Sequence, residues 1–400
     1  MRLEENGMKK FLVLLLLLTM FVGFAQCCSA IGCKLLITED TAFSDKWYKV
    51  PANSGPSISV TSQVYPKQFF TIYILLYDVG VNKAKEVKVY YDLEIIDSDG
   101  GVYHKSTDME AINYRVSNPN ILLLSKSGLL LRFGANDKLG SYTVKVKARD
   151  LVTNKVAYDE SGLQLVEFKL ENSFQDEQTF GEWLTYYYEN PQAAKALSAY
   201  LYYAKSNLSE NESARLPVIA FFRKVFTKNR WLLDHVINQY SKEDDKTRAY
   251  LLYLLKLTDY LPEEFITSLS KEEQEILDKL SQEQLPDPYG EIASPEQIDM
   301  LWGEFFAGGE YKTIKRIVDL LELSKYKGSL EKYAKSQKSN KDDEEKAYLD
   351  VIYCSLKWSL ASNCVQHKLV HDYCNLIYHN EKLPKLVKKE LKEILDGLKK

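Results

Sequence analysis

From about Leu35 to Leu170 apolar and polar residues alternate, the period of a strand with one buried face. Val87, Val89, Tyr91, Leu93 and Ile95 fall on one side, with Lys88, Asp92 and Glu94 on the other. Ile58 to Val64, Phe69 to Tyr77, Ile121 to Leu124, Leu129 to Phe133, Tyr142 to Ala148 and Leu163 to Leu170 read the same way. Turn chemistry separates them at Asp97-Ser98-Asp99-Gly100-Gly101, at Ser127-Gly128, and at Asn136-Asp137 with Gly140. Short strands at this spacing predict an antiparallel β-sandwich over residues 35–171.

After Asn172 apolar residues recur at three and four, and Gly and Pro punctuate segments of helical length. Helices are predicted near 178–189, 191–205, 212–227, 230–240, 245–258, 262–282, 295–307, 311–323, 328–336, 343–359, 364–378 and 383–398. Ser294-Pro295-Glu296-Gln297 is a strong start, with a serine cap, proline in the first turn and glutamine three residues on. The main break is Leu285-Pro286-Asp287-Pro288-Tyr289-Gly290. It makes 285–294 a linker or loop between helical segments 173–284 and 295–400. The last segment sets Val387, Leu391, Ile394 and Leu395 against a lysine-rich face, as a terminal capping helix would.

The helical half is self-similar. Trp183, Tyr186, Tyr187 and Asn190 align with Phe222, Val225, Phe226 and Asn229 at an offset of 39. The second set aligns with Trp302, Phe305, Phe306 and Gly309 at an offset of 80. Apolar residues at i, i+3 and i+4 make one helix stripe, and Asn or Gly in the left-handed region would end each helix. A unit of ~40 residues is that of HEAT-like solenoids. The fold class expected is therefore all-β plus all-α: an immunoglobulin-like sandwich, then a HEAT-like helical array.

Asp137 to Tyr142, followed by Val144, Val146 and Ala148, resembles the tyrosine corner of immunoglobulin-like sandwiches, in which the hydroxyl bonds backbone upstream. Val144 stands where those domains carry a disulfide cysteine. Together with the helical array and Trp302 to Gly309, the chain resembles exported bacterial proteins that join an immunoglobulin-like or macroglobulin-like sandwich to a C-terminal helical-repeat domain. The resemblance implies binding or spacing and brings no activity with it.

The N-terminus changes the picture more than the composition does. Phe11 to Phe24 is a solid apolar run behind Lys9 and Lys10 and ahead of small residues, the order of a secretory signal. At 14 residues it is short for a membrane span, which needs ~20. Met8 is read as the true start and residues 1–32 as the signal region. Two exits compete: cleavage after Ala25, or acylation of Cys33 behind Ser29-Ala30-Ile31-Gly32, a degenerate lipobox. The expected location is the periplasm or cell envelope, with membrane contact only through the signal or a lipid anchor.

Apolar residues make up 45% and charged residues 27%, which excludes a collagen-like, wholly disordered or polytopic membrane chain. A net charge of −4 gives no reason to expect nucleic acid. Zincin, nucleophile-elbow, phosphate-loop and dinucleotide motifs are all missing, and no cofactor is expected. Cys364, His367, His371 and Cys374, spaced three, four and three, would share one helix face, and His367 with His371 could chelate zinc or copper only with outside ligands. Export favours a disulfide instead, in which Cys354 bridges Cys364 or Cys374 across a helical hairpin. The function expected is non-catalytic binding of a protein or envelope polymer. The alternative is an envelope glycan hydrolase using carboxylates in a helical cleft.

Overall fold

The computed structural model describes residues 31–51, 57–116, 121–282, 284–336 and 340–398. The signal reading, with Cys27 and Cys28, lies outside them. No helix among the described residues is long and apolar enough to cross a membrane.

The N-terminal region is two packed sheets. The first pairs β1 (Gly32–Thr38) with β3 (Phe69–Tyr77), and β3 with β6 (Leu123–Leu124) and β7 (Leu129–Arg132). The second has the order β2-β9-β8-β4-β5, where β2 is Gln63–Val64, β4 Glu86–Ile96, β5 Val102–Arg115, β8 Gly140–Asp150 and β9 Lys155–Leu165. Pairing is antiparallel except for β2 with β9. The alternating residues behave as their period requires: Val87, Val89, Tyr91, Leu93 and Ile95 of β4 meet Tyr142, Val144, Val146 and Ala148 of β8 in one core. Strand β3 reads as a nearly unbroken apolar run because both its faces are covered. Phe70, Ile72, Ile74 and Leu76 face the core, while Tyr73 and Leu75 pack under Phe43 of a short helix α1 (Phe43–Lys49).

Sequence and structure part where burial is one-sided or missing. Strand β5 is largely exposed, so it carries little alternation to read. Of Ile58–Val64 only Gln63 and Val64 pair, and β9 ends at Leu165, not Leu170. The hairpin at Asp97–Gly101 forms as expected: Asp97 N–H donates to the Gly101 carbonyl, and the Asp97 carboxylate accepts from the N–H groups of Asp99 and Gly101. The Tyr142 hydroxyl donates to the Lys138 carbonyl at 2.7 Å, the bond its resemblance implied.

The C-terminal region is helical: α2 (Glu177–Tyr186), α3 (Ala196–Lys205), α4 (Glu212–Lys228), α5 (Leu233–Tyr240), α6 (Asp245–Leu257), α7 (Glu263–Ser268), α8 (Lys271–Gln282), α9 (Pro295–Phe306), α10 (Tyr311–Asp319), α11 (Ser329–Lys335), α12 (Lys341–Gln366), α13 (Lys368–Asn380) and α14 (Lys385–Gly397). Side chains satisfy first-turn amides where the sequence offers them. Asp176 accepts from Thr179 N–H, Asp244 from Thr247 N–H, and Ser294 with Gln297 forms a capping box. Helices on the two sides of 285–294 have separate cores, one around Tyr200, Phe222 and Phe226, the other around Trp302, Phe305 and Tyr373.

The repeat stripe is buried in part and does not build a solenoid. Phe222, Val225, Phe226, Trp302 and Phe305 are core residues, but Tyr186 is 39% exposed. Gly309 is left-handed at φ +62, as expected, whereas Asn229 is not, at φ −117. Helices α4 and α9 carry copies two units apart, yet they are the most closely packed helix pair, with Gly303 against the Pro217 backbone. Units of a one-dimensional array touch only their neighbours, so this region folds back on itself.

Candidate functional site

Between β9 and α2 the chain runs as a strap without regular secondary structure, and three depressions lie along it, two between the sandwich and the helical half and the third against the helical half alone. Glu167 and Phe168 line the first, opposite Trp231, Asp234 and His235, with Lys67 at its rim; it holds about 280 Å³ of water-accessible space. Lys169, Glu171 and Ser173 line the second, about 340 Å³, with Glu39 and Tyr65. Leu170, Asn172 and Phe174 line the third, about 420 Å³, with Tyr202 and Glu243. Glu167 lines the first two and Glu171 the last two, so the strap carries three neighbouring depressions along residues 167–174, a segmented trough.

Contacts between the halves hold its walls. Tyr65 stacks on Trp231 with centroids 5.1 Å apart, and Phe168 meets Trp231 edge-on at 5.4 Å. Lys67 pairs with Asp234 at 2.8 Å, and Ser59 donates to Asn190 at 3.0 Å. Glu39, just past β1, accepts from Gln68 at 2.8 Å and from the Ala193 N–H at 3.3 Å. Deeper, Lys46 of α1 pairs with Asp40 at 2.7 Å, both side chains 5% exposed, and donates to the Tyr188 carbonyl. A side chain at Gly309 would strike Lys46, which is why glycine suits that helix end twice over.

The electrostatics are uneven along the trough. Burial pushes the Glu39 carboxyl up to about 7 from its ordinary 4.5, against the opposing bond from Ala193. Burial would also raise Asp234, but hydrogen bonds from Lys67 and Tyr260 outweigh it and hold that carboxyl below its ordinary value. His235 is pushed down by burial, so its ring is neutral at pH 7.

The residues singled out from the sequence lie elsewhere. Cys33 is 5% exposed in β1, opposite Leu76, with its side chain in the sandwich core. Acylation there would require the strand to leave that core, which weighs against Cys33 as a lipid site. The Cys364-His367-His371-Cys374 face does not exist as one helix face, because α12 runs on to Gln366 and α13 starts at Lys368, with His367 as the joint. Cys364 and Cys374 meet across that joint, Sγ to Sγ 3.7 Å, whereas Cys354 is exposed near Asp350. His367 is fully buried and shares a hydrogen bond with the Tyr188 hydroxyl, while the His371 side chain is 43% exposed and contacts Asn375. Among the described residues no three His, Cys, Asp or Glu are grouped to hold a metal ion. Sequence reading passed over Glu39, Phe168 and Asp234; the available signal was the change of period at Asn172, which marks where the strap runs.

No family model and no curated protein matches the chain. Among solved structures it is similar to the CARDB domain of the PF1109 protein from Pyrococcus furiosus, a complex with di-metal ions, at 13% identity and TM-score 0.19, over 36% of this chain and 99% of that one. It is also similar to a family 123 glycoside hydrolase from Clostridium perfringens, at 11% identity and TM-score 0.21, and to Salmonella alpha-2-macroglobulin reacted with methylamine, at 8% and 0.19. It covers 44% of itself against the hydrolase and 91% against the macroglobulin, but spans only 36% and 26% of those two chains.

Proposed function

We propose that this is an exported binding protein of the cell envelope, built from an immunoglobulin-like sandwich and a compact helical half, which holds an extended polypeptide or polymer along the strap between them. The observation that carries this reading is the succession of three depressions along residues 167–174, with Glu167 lining the first two and Glu171 the last two. An extended ligand needs consecutive subsites, and clefts between domains are common places for them. A non-catalytic role is supported by how fully the aromatics are spent on packing: Phe222, Phe226 and Phe305 are all completely buried.

A photo-crosslinking residue at Lys169, compared with one at Lys105 on the far strand β5, tests this in an envelope fraction. Adducts should concentrate at Lys169; equal yields at both positions, or none at Lys169, would sink the proposal. One observation favours the hydrolase alternative: Glu39, whose carboxyl titrates near neutrality, shares its depression with Glu167 and Glu171. Glycan turnover by the wild type that disappears in Glu39→Gln would decide for it.

A further inference from the structure

Helix α12 has two faces of different kinds. Ile352, Tyr353, Leu356, Leu360 and Cys364 are buried in the core of its own segment. On another face Trp358 is 74% exposed, Val365 76% and Tyr348 46%, with Ser355 and Ser362 exposed and Val351 half-buried. Tyr348, Val351, Ser355, Trp358, Ser362 and Val365 follow one another at spacings of three, four, three, four and three. That is a period of 3.5 residues, the seam by which two helices pack knobs into holes. The face also carries no charge, in a chain with 27% charged residues. Between Asp350 and Lys368 the sole Lys, Arg, Asp or Glu is Lys357, and it turns aside to Glu390 at 2.6 Å and Glu393 at 2.8 Å of α14.

The order of side chains along the seam fits a second copy of itself. About a two-fold axis between Leu356 and Lys357, antiparallel helices set Trp358 on Ser355 of the other copy, Tyr348 on Val365, and Val351 on Ser362, so each large side chain falls on a smaller one. The ends match in charge as well. The same axis brings Lys368, whose side chain is 62% exposed beside Asp372, level with Glu345 of the other copy, and half-exposed His371 level with Asp342. A parallel pair would set Trp358 on Trp358 and the acidic turn of Asp342, Asp343, Glu344 and Glu345 on its own image. We propose that this face is a dimer interface, in which the α12 helices of two copies of the chain pack antiparallel. The overlap over residues 348–365 is about 27 Å long at 1.5 Å per residue, short for a permanent interface, so the dimer is a weak one with a Kd of about micromolar order.

Sedimentation velocity across about 1 to 100 µM, a range that brackets such a dimer, tests it on the full chain. Wild type should pass from one chain mass to two as concentration rises, while Trp358→Glu stays at one and melts like wild type at the lowest concentration. Should Trp358→Glu fail to fold, Ser355→Trp replaces it: the second indole overfills the layer opposite Trp358 and should weaken the dimer about tenfold with the monomer melt unchanged. The register has its own test. In a Cys354→Ser background, Val351→Cys combined with Ser362→Cys, oxidised by a small-molecule disulfide, should give a covalent dimer bridged from position 351 of one copy to 362 of the other. Each thiol loses one proton and the reagent leaves as two thiols. Those positions are about 16 Å apart along one helix, too far for a bridge within a chain. A monomer at every concentration, including one whose tryptophan emission shifts only with anionic lipid vesicles, would overturn the proposal. So would a dimer indifferent to both substitutions, or peptide mapping that finds position 351 bridged to 351.

Discussion

Replacing Gly303 by alanine should destabilise the helical half, although alanine is the better helix former. The added Cβ would lie 2.1 Å from the Pro217 carbonyl oxygen, 2.9 Å from its carbon and 3.2 Å from its Cα, where ordinary contact starts at 3.4 Å. All three atoms are main chain, so no rotamer change relieves the clash, and α9 has to move off α4 by roughly 1 Å. That movement also strains the ion pairs bridging the same crossing, Arg223 to Glu304 at 3.0 Å, Lys224 to Glu310 at 3.0 Å and Lys228 to Glu310 at 2.7 Å. Helix propensity returns about 0.5–1 kcal/mol, while overpacking typically costs about 1–3 kcal/mol and more against rigid backbone. The net expectation is a loss of up to about 2.5 kcal/mol, or up to about 10 °C in Tm at roughly 2–4 °C per kcal/mol for a unit of this size. Gly181 is the control, since it sits within α2 and a Cβ added there would meet nothing within 4 Å. Gly181→Ala should gain up to about 1 kcal/mol. Urea unfolding followed by far-ultraviolet circular dichroism measures both. A Gly303→Ala protein as stable as Gly181→Ala would refute the close crossing of α4 and α9.

Three further outcomes follow from particular contacts. Exposure to a small-molecule disulfide during refolding should link Cys364 to Cys374, each thiol losing one proton and the reagent leaving as two thiols; closing so short a loop contributes on the order of 3 kcal/mol. Non-reducing peptide mapping that places Cys354 in the bridge, or finds all three free, would contradict the 3.7 Å approach. Lys46→Met strands Asp40 in a buried site and should cost about 3–5 kcal/mol, most of it recovered in Lys46→Met/Asp40→Asn; a double variant no more stable than the single would show that the ion pair is not the cause. Glu39 and His367 should pull stability in opposite directions with pH. Glu39, raised to about 7, contributes fully below about pH 4.5 and loses that contribution as pH rises through 7. Burial lowers His367 to about 4, so its contribution is full above about pH 6.5 and is lost as pH falls towards 4. Between pH 5 and 7, Glu39→Gln should therefore gain stability with rising pH more steeply than wild type, and His367→Gln less steeply; unchanged slopes in chemical unfolding would refute both assignments.

The parts of the fold legible in the sequence are those where a single face is buried. Val87 to Ile95 and Tyr142 to Ala148 alternate because one side of each strand meets the core, and a two-residue period survives any detail of the neighbour. The Ser294–Gln297 start was equally plain, since a cap is satisfied within four residues. Strand β5 was hidden because an exposed strand has no burial to impose alternation. The joint at His367 was misread as mid-helix because its neighbours on both sides suit helix, and what holds His367 there is Tyr188, far away in the chain. Of the candidate site, only the aromatic content and the change of period near Asn172 could be read in advance.

By itself the sequence determined the local periods, and with them a β region followed by a helical one, because periodicity records which side of each element excludes water. It also supplied the apolar head that the export reading rests on. Tertiary structure alone decided that α4 crosses α9 at Gly303, that Cys374 rather than Cys354 faces Cys364, and that Phe168 and Trp231 come from distant segments to line one depression and Glu39 and Glu171 the next. Those juxtapositions depend on how whole elements pack, and no residue's chemistry or spacing along the chain encodes its neighbours across a seam between two halves.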